Sequence, residues 1–274
     1  NTILASGLDP GSLVALNYAW LIMLLPQGIF AQSLAAAAFP TMAAQVAAGD
    51  LENMRHTFSR TLRFTLFLTL PSAVGLVVLG RELVAALLQH GAFDANSSAR
   101  VAYGLAFYAL GLAGHALLEI IVRAFYALHD TLTPVMVGVA AMVVNIALSL
   151  AWVGWLGFGG LALANSLATT GEALLLLWLL RRPLKGVDGR QLWSATVSQV
   201  AGSVLMGVVL WGWLEWAQTV LTPTSATVQA WLITLGGLVL GALVYGGVTL
   251  LLGSDEAQLV RASMHRQLAR FRPR

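Results

Sequence analysis

Two acidic side chains and one arginine are the groups best able to do chemistry, because each lies within or beside a long apolar run. Glu119 and Arg123 stand four residues apart with the acid first, a spacing that favours an ion pair on one helix face. Glu172 precedes the next basic residue, Arg181, by nine residues. A charge at the centre of a bilayer costs roughly 2.5–3.5 kcal/mol on insertion scales, so such groups are expected to face protein or a cavity. They could provide ion or proton coupling, or contact with a polar substrate.

Each of these groups also has a structural interpretation. Glu172 could be a protonated or hydrogen-bonded carboxyl that only fixes neighbouring helices. Glu119 and Arg123 could form an interfacial salt bridge whose arginine reaches toward water. Asn145 could contact substrate, but asparagine in membrane helices most often bonds to a neighbouring helix. The residues alone leave both interpretations open.

Signatures of soluble enzymes are absent from the sequence. There is no P-loop, no GxSxG, no HExxH and no recognisable pair of catalytic carboxylates. The five histidines have no ligand-like spacing, and the lack of cysteine excludes disulfides, thiol catalysis and cysteine-ligated metals. The sequence therefore predicts a protein that is not an enzyme and that uses no metal and no cofactor.

The elements that must position these groups are membrane helices. Hydrophobic residues make up 58% of the chain and charged residues only 10%, whereas soluble domains average about 25% charged residues. A membrane-spanning helix needs about 20 apolar residues. Runs of that kind are Leu13–Ala47, Leu62–Gly80, Val101–Tyr126, Pro134–Val153, Gly160–Leu180, Leu192–Trp216 and Val228–Leu252. We therefore predict an all-α integral membrane protein with about seven complete transmembrane helices.

The first eight residues predict a further, truncated helix. They are mostly apolar, but eight residues are too few to cross a bilayer. They also have no initial methionine and no basic segment of the kind that begins a signal peptide. We expect them to be the last turns of a helix, and the chain to be a fragment of a larger protein.

The basic residues are divided unequally between the two sides of the predicted helices. If successive helices alternate in direction, 13 of the 15 lysines and arginines fall on one side, and only Arg81 and Arg100 fall on the other. Since cytoplasmic loops are enriched in lysine and arginine, the basic side and the C-terminus are predicted to be cytoplasmic. An error of one helix would abolish this asymmetry, so the asymmetry also supports the helix count.

Two segments outside the apolar runs have amphipathic patterns. Arg81–Gly91 is predicted to form a short helix at the outer surface, and Asp94 or Ser97 is predicted to cap the helix that follows. The tail, residues 253–274, places apolar side chains among arginines. That pattern is typical of a helix on an anionic inner leaflet, although a frayed and solvated tail is an equal alternative.

Helix-breaking residues interrupt two of the runs. Pro26 and Gly28 lie in the first run, and Pro71 lies in the middle of the second. A proline in a membrane helix leaves a carbonyl unpaired and produces a kink, and bent helices often line transporter cavities. We predict these three positions as hinge or kink sites, with ordinary packing as the alternative. Gly237 and Gly241 form a GxxxG pair that permits close helix contact.

Several short motifs resemble one transporter family in their order and spacing. They include Leu25-Pro26-Gln27-Gly28, Leu70-Pro71-Ser72-Ala73-Val74-Gly75, Gly91-Ala92-Phe93-Asp94, Arg123-Ala124-Phe125-Tyr126-Ala127 with Asp130 and Thr133-Pro134, and Gly159-Gly160-Leu161-Ala162. Over residues 5–182 the sequence resembles the MurJ (MviN) family of lipid II flippases. That family belongs to the superfamily of multidrug, oligosaccharidyl-lipid and polysaccharide exporters.

The resemblance implies a fold of two six-helix lobes followed by a terminal helix pair. Residues 1–190 would form the second lobe, residues 191–252 the terminal pair, and residues 253–274 a basic cytoplasmic tail. Candidate substrate or coupling residues would then be Glu172, Glu119, Arg123, Asp130 and Asn145.

The resemblance also implies a function. Members flip lipid II, a lipid-linked peptidoglycan precursor, across the bacterial cytoplasmic membrane by alternating access. The expected partners are a polyprenyl-pyrophosphate glycan, membrane lipids, a missing N-terminal lobe and other cell-wall synthesis proteins, but not nucleic acid.

One departure from the family pattern concerns charge. Two residues after Tyr18-Ala19 the family commonly has an arginine, and three residues later a polar or acidic residue, but this chain has Leu21 and Leu24. A leucine cannot form a charge-assisted contact with an anionic head group. Two alternatives therefore remain open: a polysaccharide-unit or drug exporter of the same superfamily, and an inactive or scaffold relative.

Overall fold

The computed structural model describes residue 7 and the ranges 11–89, 93–221 and 225–270, with side chains in the last range as far as residue 262. The initial stub, predicted to end a truncated helix, lies outside the described residues except for Gly7. Residues 90–92 also lie outside the described residues. They include the end of the predicted helix Arg81–Gly91 and the start of the motif Gly91-Ala92-Phe93-Asp94.

The described chain is built from long helices. They are α1 (Ser12–Ala47), α2 (Leu51–Leu88), α3 (Ala95–Ala127), α4 (Leu132–Leu156), α5 (Phe158–Leu180), α6 (Gly189–Val220), α7 (Ala226–Leu251) and α8 (Asp255–Arg270). The first seven are long and apolar enough to cross a membrane, which confirms the predicted all-α membrane fold and its helix count. Several helices extend beyond the apolar runs because polar residues continue the same backbone hydrogen bonding outside the hydrocarbon layer.

Aspartates define the starts of three helices. Asp50 accepts a hydrogen bond from the Asn53 amide at 3.1 Å, and Asp94 accepts one from the Ser97 amide at 2.8 Å. Asp94 is thus the N-terminal cap of α3, as predicted. At the start of α4, Asp130 accepts a hydrogen bond from the Thr133 amide at 3.0 Å, and this bond holds the pKa of Asp130 below its usual value.

Helix α3 lies at the centre of the bundle and packs on α1, α2 and α5. Its contact with α5 depends on glycine. A Cβ atom added at Gly111 would lie 2.6 Å from the Cα atom of Ser166, and one at Gly114 would lie 2.8 Å from that of Thr170. The Ser166 hydroxyl donates to the Phe107 carbonyl at 2.8 Å. The close approach of the two helix backbones is the small-residue packing that stabilises helix pairs in lipid.

Helices α6 and α7 pack on each other and on α2. A Cβ atom at Gly237 would lie 2.7 Å from Leu79 of α2, and one at Gly241 would lie 3.4 Å from Met206 of α6. The predicted GxxxG pair therefore makes close contacts with two different helices. The Trp213 indole also donates to the Ile233 carbonyl at 3.0 Å.

The prediction of a separate surface helix at Arg81–Gly91 is wrong for the residues described. Helix α2 continues without a break to Leu88, and Pro71 does not end it. Val84 is fully buried and belongs to an apolar cluster with residues of α1 and α3. The segment looks amphipathic because one side of these last turns packs into the helix bundle. Gly80 directly precedes the segment, but the α-helix continues through it.

Cross-contacts group the loops into two ends, as alternating helix directions require. At one end, Arg55 Nε lies 3.0 Å from Asp188 Oδ1, joining α2 to the α5–α6 connection. At the other, Arg100 donates to Ser12 at 3.3 Å and Gln218 donates to Glu82 at 3.2 Å. The end that contains Arg55 and Asp188 is the arginine-rich end. Its assignment to the cytoplasm stays a prediction.

The beginning of the tail is helical rather than frayed. Helix α8 starts at Asp255, and Arg63 Nη1 of α2 lies 3.4 Å from carboxylate oxygens of both Asp255 and Glu256. Glu256 is buried. The ion pairs hold the start of α8 against α2, while its placement on a lipid leaflet stays a prediction.

Replacing Gly111 by alanine is expected to destabilise the protein by about 1–3 kcal/mol, because the new methyl group would overlap the α5 backbone. Thermal unfolding in detergent micelles measures the effect. The matched control is Gly171→Ala, where an added Cβ meets nothing within 4 Å. Equal unfolding temperatures for the two variants would contradict this account of the α3–α5 contact.

Replacing Asp130 by alanine is expected to lower stability near neutral pH and to have less effect in acid. The folded-state pKa of Asp130 is lowered, chiefly by the hydrogen bond from the Thr133 amide. Its contribution is therefore complete above the unfolded pKa of about 3.9 and is lost as pH falls through the folded pKa. The free energies of unfolding of the unmodified protein and of Asp130→Ala are compared at pH 7 and pH 3. An equal difference between the two proteins at both pH values would refute this account.

Candidate functional site

The clearest candidate site is a cavity of about 450 Å³ between α1 and α3. Its polar lining residues are Gln27 from α1 and His115, Glu119 and Arg123 from α3. The three α3 residues lie on one helix face because they are spaced by four. The structure therefore brings the predicted pair Glu119 and Arg123 to the same place as the predicted break at Pro26 and Gly28.

Helix α1 changes its geometry where it borders this cavity. The α-helix ends at Pro26, a π-helix runs from Gln27 to Gln32, and a second α-helix begins at Ser33. Proline lacks the amide hydrogen that would continue regular bonding, and π-helical turns occur frequently at functional sites. The helix is thus irregular beside Pro26 and Gly28 but continuous, and a hinge or kink at these residues stays a prediction.

The π-helix places Gln27 in the cavity wall. The residue is only 6% exposed, and its Oε1 atom has no hydrogen-bond partner among the described residues. Buried amide oxygens are nearly always hydrogen-bonded, so an unpaired one beside a cavity is available to a ligand or a water.

Glu119 and Arg123 form the predicted ion pair. Arg123 Nη1 donates to a carboxylate oxygen of Glu119 and, at 2.8 Å, to the Glu119 main-chain carbonyl. Each side chain is about a quarter exposed, at 26% for Glu119 and 29% for Arg123. The pair therefore gives the cavity both donors and acceptors while adding no net charge.

His115 forms the deeper wall of the cavity. Its Nε2 atom lies 3.1 Å from Oδ1 of Asn165 on α5, and its ring meets Trp20 edge-on with 5.3 Å between centroids. These contacts fix the imidazole in position. Aromatic rings of Phe39 and Tyr126 complete the apolar part of the lining.

The other predicted site residues lie elsewhere. Glu172 is on α5 and faces α4, with its Oε1 atom 3.2 Å from where a Cβ of Gly138 would lie. Asn145 is on α4, and its Nδ2 atom is buried without a hydrogen-bond partner in the described structure. Asp130 lies in the connection between α3 and α4. Nothing in the geometry joins these three to the cavity, so their roles in binding or coupling stay predictions.

Six cavity residues were not selected from the sequence, namely Gln27, Phe39, His115, Leu118, Val122 and Tyr126. A usable signal exists for α3, since residues 115, 119, 123 and 126 recur at helical spacing on one face. Gln27 directly follows a helix-breaking proline, but its burial depends on the local π-helix.

Two further cavities, of about 430 and 570 Å³, lie at the arginine-rich end and share Arg63, Asp255 and Glu256. Their central arginine already pairs with both acidic residues of α8. In the described part of the chain, no group of three or more histidine, aspartate or glutamate side chains could hold a metal ion.

Comparisons with known proteins give a consistent result. The profile of a family described as "Lipid II flippase MurJ" matches residues 1–230. A probable lipid II flippase MurJ of Vibrio cholerae is 29% identical over 92% of this chain and 48% of its own length. The corresponding protein of Rhizobium meliloti is 31% identical over 97% of this chain and 50% of its own length. The chain thus spans about half the length of the curated relatives it matches.

A solved structure supports the fold alone. A MOP superfamily transporter from Pyrococcus furiosus superposes with a TM-score of 0.55 and 14% identity, covering 90% of this chain and 59% of that protein. The resemblance predicted from the motifs is confirmed by the family match over most of the chain. The all-helical membrane bundle, its fold neighbour and its relatives lead to one conclusion: this chain belongs to the lipid II flippase MurJ family.

Proposed function

We propose that the chain forms part of a flippase that moves a lipid-linked peptidoglycan precursor, lipid II, across the bacterial cytoplasmic membrane. The substrate would be a polyprenyl pyrophosphate that carries a glycan, and it would leave chemically unchanged, so the protein is not an enzyme. The observation that carries the proposal is the polar cavity beside Glu119 and Arg123 in a membrane bundle of this family.

The composition of the cavity supports a binding role. Binding pockets are mostly apolar with a few polar groups that fix the orientation of a ligand. Here Gln27, Glu119 and Arg123 are such groups among aromatic and aliphatic side chains. Ionisable groups inside membrane helices are expensive and therefore mark substrate or ion pathways. Helix α1 supplies an irregular turn at the same depth, a feature that transporter cavities often use.

The proposed transporter needs a second lobe. Alternating access is a movement of one repeat or lobe against another around a binding site. We propose that residues 1–190 form one such lobe, residues 191–252 the terminal helix pair, and residues 253–274 a cytoplasmic tail. The partners would be a further lobe, membrane lipids and other proteins of cell-wall synthesis.

Glu172 and Asn145 fit a coupling role better than a role in the cavity. Both lie in the contact region of α4 and α5, and α4 packs almost entirely on α5. A half-buried carboxyl without an ion-pair partner among the described residues could bind a proton or a cation as α4 moves. Their roles remain part of this proposal.

One observation favours a different substrate within the same superfamily. Leu21 is 56% exposed on α1, where the family resemblance leads one to expect an arginine. An apolar surface at that position suits a less anionic cargo, such as a polysaccharide unit or a drug. It also suits an inactive scaffold relative, for which substitutions in the cavity would have no effect.

Complementation tests the proposal. The complete gene that encodes this chain is expressed in bacteria depleted of their own lipid II flippase, and externally added hydrolase measures the precursor exposed at the outer face. Glu119→Ala and Arg123→Ala are each expected to lower flipping at least tenfold, because each leaves a charge unpaired beside the cavity. The exchanged pair, Glu119→Arg with Arg123→Glu, is expected to restore part of the activity, since the ion pair re-forms.

The matched control is Arg181→Ala, which removes an exposed arginine that does not line the cavity and is expected to leave flipping unchanged. Protein levels in the membrane are compared by immunoblot for every variant. Failure of the unmodified gene to complement, together with restored export of a polysaccharide unit or a drug, would replace lipid II flipping by the alternative. Full activity of both alanine variants would reject the cavity as the binding site.

A further inference from the structure

The ion pair in the cavity between α1 and α3 carries no net charge. The proposed substrate has an anionic part, the pyrophosphate, and an uncharged part, the carbohydrate. We propose that this cavity binds the uncharged carbohydrate part of the lipid-linked substrate and not its pyrophosphate. This inference rests on the proposed function, and it assigns the pyrophosphate to another part of the transporter.

The first argument is the state of the cation. Arg123 is already bound by Glu119, through both a carboxylate oxygen and the main-chain carbonyl. A pyrophosphate that bound the other N–H groups of Arg123 would lie close to the Glu119 carboxylate, and the two anions would repel each other. Among the described lining residues the other side chain that can become a cation is His115, whose Nε2 atom is engaged with Asn165.

The second argument is the unpaired acceptor. Gln27 is buried, lines the cavity, and has an Oε1 atom without a hydrogen-bond partner in the described structure. An amide oxygen accepts hydrogen bonds and has no attraction for phosphate oxygens. It is complementary to the hydroxyl and acetamido N–H donors of an N-acetylated sugar. The carboxylate of Glu119 can accept from the same kinds of donor.

The third argument is the shape and the aromatic lining. Phe39 and Tyr126 border the cavity, and Tyr126 is 43% exposed. Aromatic rings provide flat apolar surfaces on which the C–H face of a sugar ring can pack, while the phenolic hydroxyl keeps a polar partner. The volume of about 450 Å³ is in the range of ~300–1,000 Å³ typical of small-ligand pockets.

The apolar surface of α1 agrees with this division of the substrate. Leu21 is exposed and Leu24 is partly exposed on the stretch of α1 that precedes Gln27. Neither side chain can contact a pyrophosphate through charge. Along the described part of α1, from Ser12 to Ala47, the sequence has no lysine or arginine. The helix that forms one wall of the cavity therefore offers polar contacts through amides and not through cations.

Binding of two lipids tests the inference. The product of the complete gene is reconstituted in nanodiscs and titrated with a polyprenyl pyrophosphate that carries an N-acetylated disaccharide, and with the same lipid without sugar. Gln27→Leu is expected to weaken binding of the glycosylated lipid about 3- to 10-fold, the usual effect of losing one hydrogen bond. Binding of the bare pyrophosphate lipid is expected to stay unchanged.

The matched control is Gln32→Leu, which alters an exposed glutamine at the other end of the same π-helix and is expected to change neither affinity. Tyr126→Ala is expected to weaken binding of the glycosylated lipid only. Tyr126→Phe, which keeps the aromatic ring, is expected to retain most of the affinity for that lipid. These variants separate a local contact from a folding defect, and thermal unfolding is measured for each.

The outcomes distinguish this inference from the proposed function. If the unmodified protein binds neither lipid, the proposed function fails, and the carbohydrate assignment fails with it. If the unmodified protein binds the glycosylated lipid, the result for Gln27→Leu decides the carbohydrate assignment alone. That assignment is overturned if the substitution weakens binding of both lipids equally or weakens binding of neither. If Glu119→Gln strengthens binding of the bare pyrophosphate lipid at least tenfold, the neutral ion pair is what excludes the anion, as proposed.

Discussion

The close contact between α3 and α5 is the interaction on which the rest of the helix bundle depends. In lipid there is no hydrophobic effect between helices, so association relies on close packing and on hydrogen bonds between them. Gly111 and Gly114 let the backbones approach until a methyl group would overlap, and the Ser166 hydroxyl then reaches a carbonyl of α3. This contact fixes the rotation of α3 about its axis. Because of that rotation, His115, Glu119 and Arg123 point toward α1 rather than toward lipid.

Placing charges in such a bundle requires that they neutralise each other locally. Glu119 and Arg123 meet this requirement on one helix, without help from a second element. The arrangement keeps the cavity polar but electrically balanced. At the arginine-rich end the same requirement is met between elements, where Arg63 of α2 pairs with the first residues of α8. The first keeps the candidate cavity electrically balanced, and the second attaches the tail helix to the membrane bundle.

Much of the fold could be predicted from the sequence because the bilayer imposes a simple rule of length and polarity. The seven spans and the i,i+4 ion pair follow from local spacing alone. The continuation of α2 to Leu88 could not be predicted in the same way, since a half-buried helix end has the same amphipathic pattern as a surface helix. The π-helix and the burial of Gln27 also depend on neighbouring helices. The charged residues of the cavity could therefore be predicted from the sequence, whereas its amide and aromatic residues could not.

The π-helix of α1 affects how the two halves of this helix pack into the bundle. The π-helix, whose turns are wider than those of an α-helix, lies between Met23 and Ala35 and changes the direction in which the residues after it point. The two halves of α1 therefore differ in phase. The first half inserts Leu16 and Met23 into one apolar core, and the second inserts Ala35 and Met42 into another. A single membrane span thus packs into two apolar clusters of the same bundle, and the candidate cavity lies beside the π-helix between its two halves.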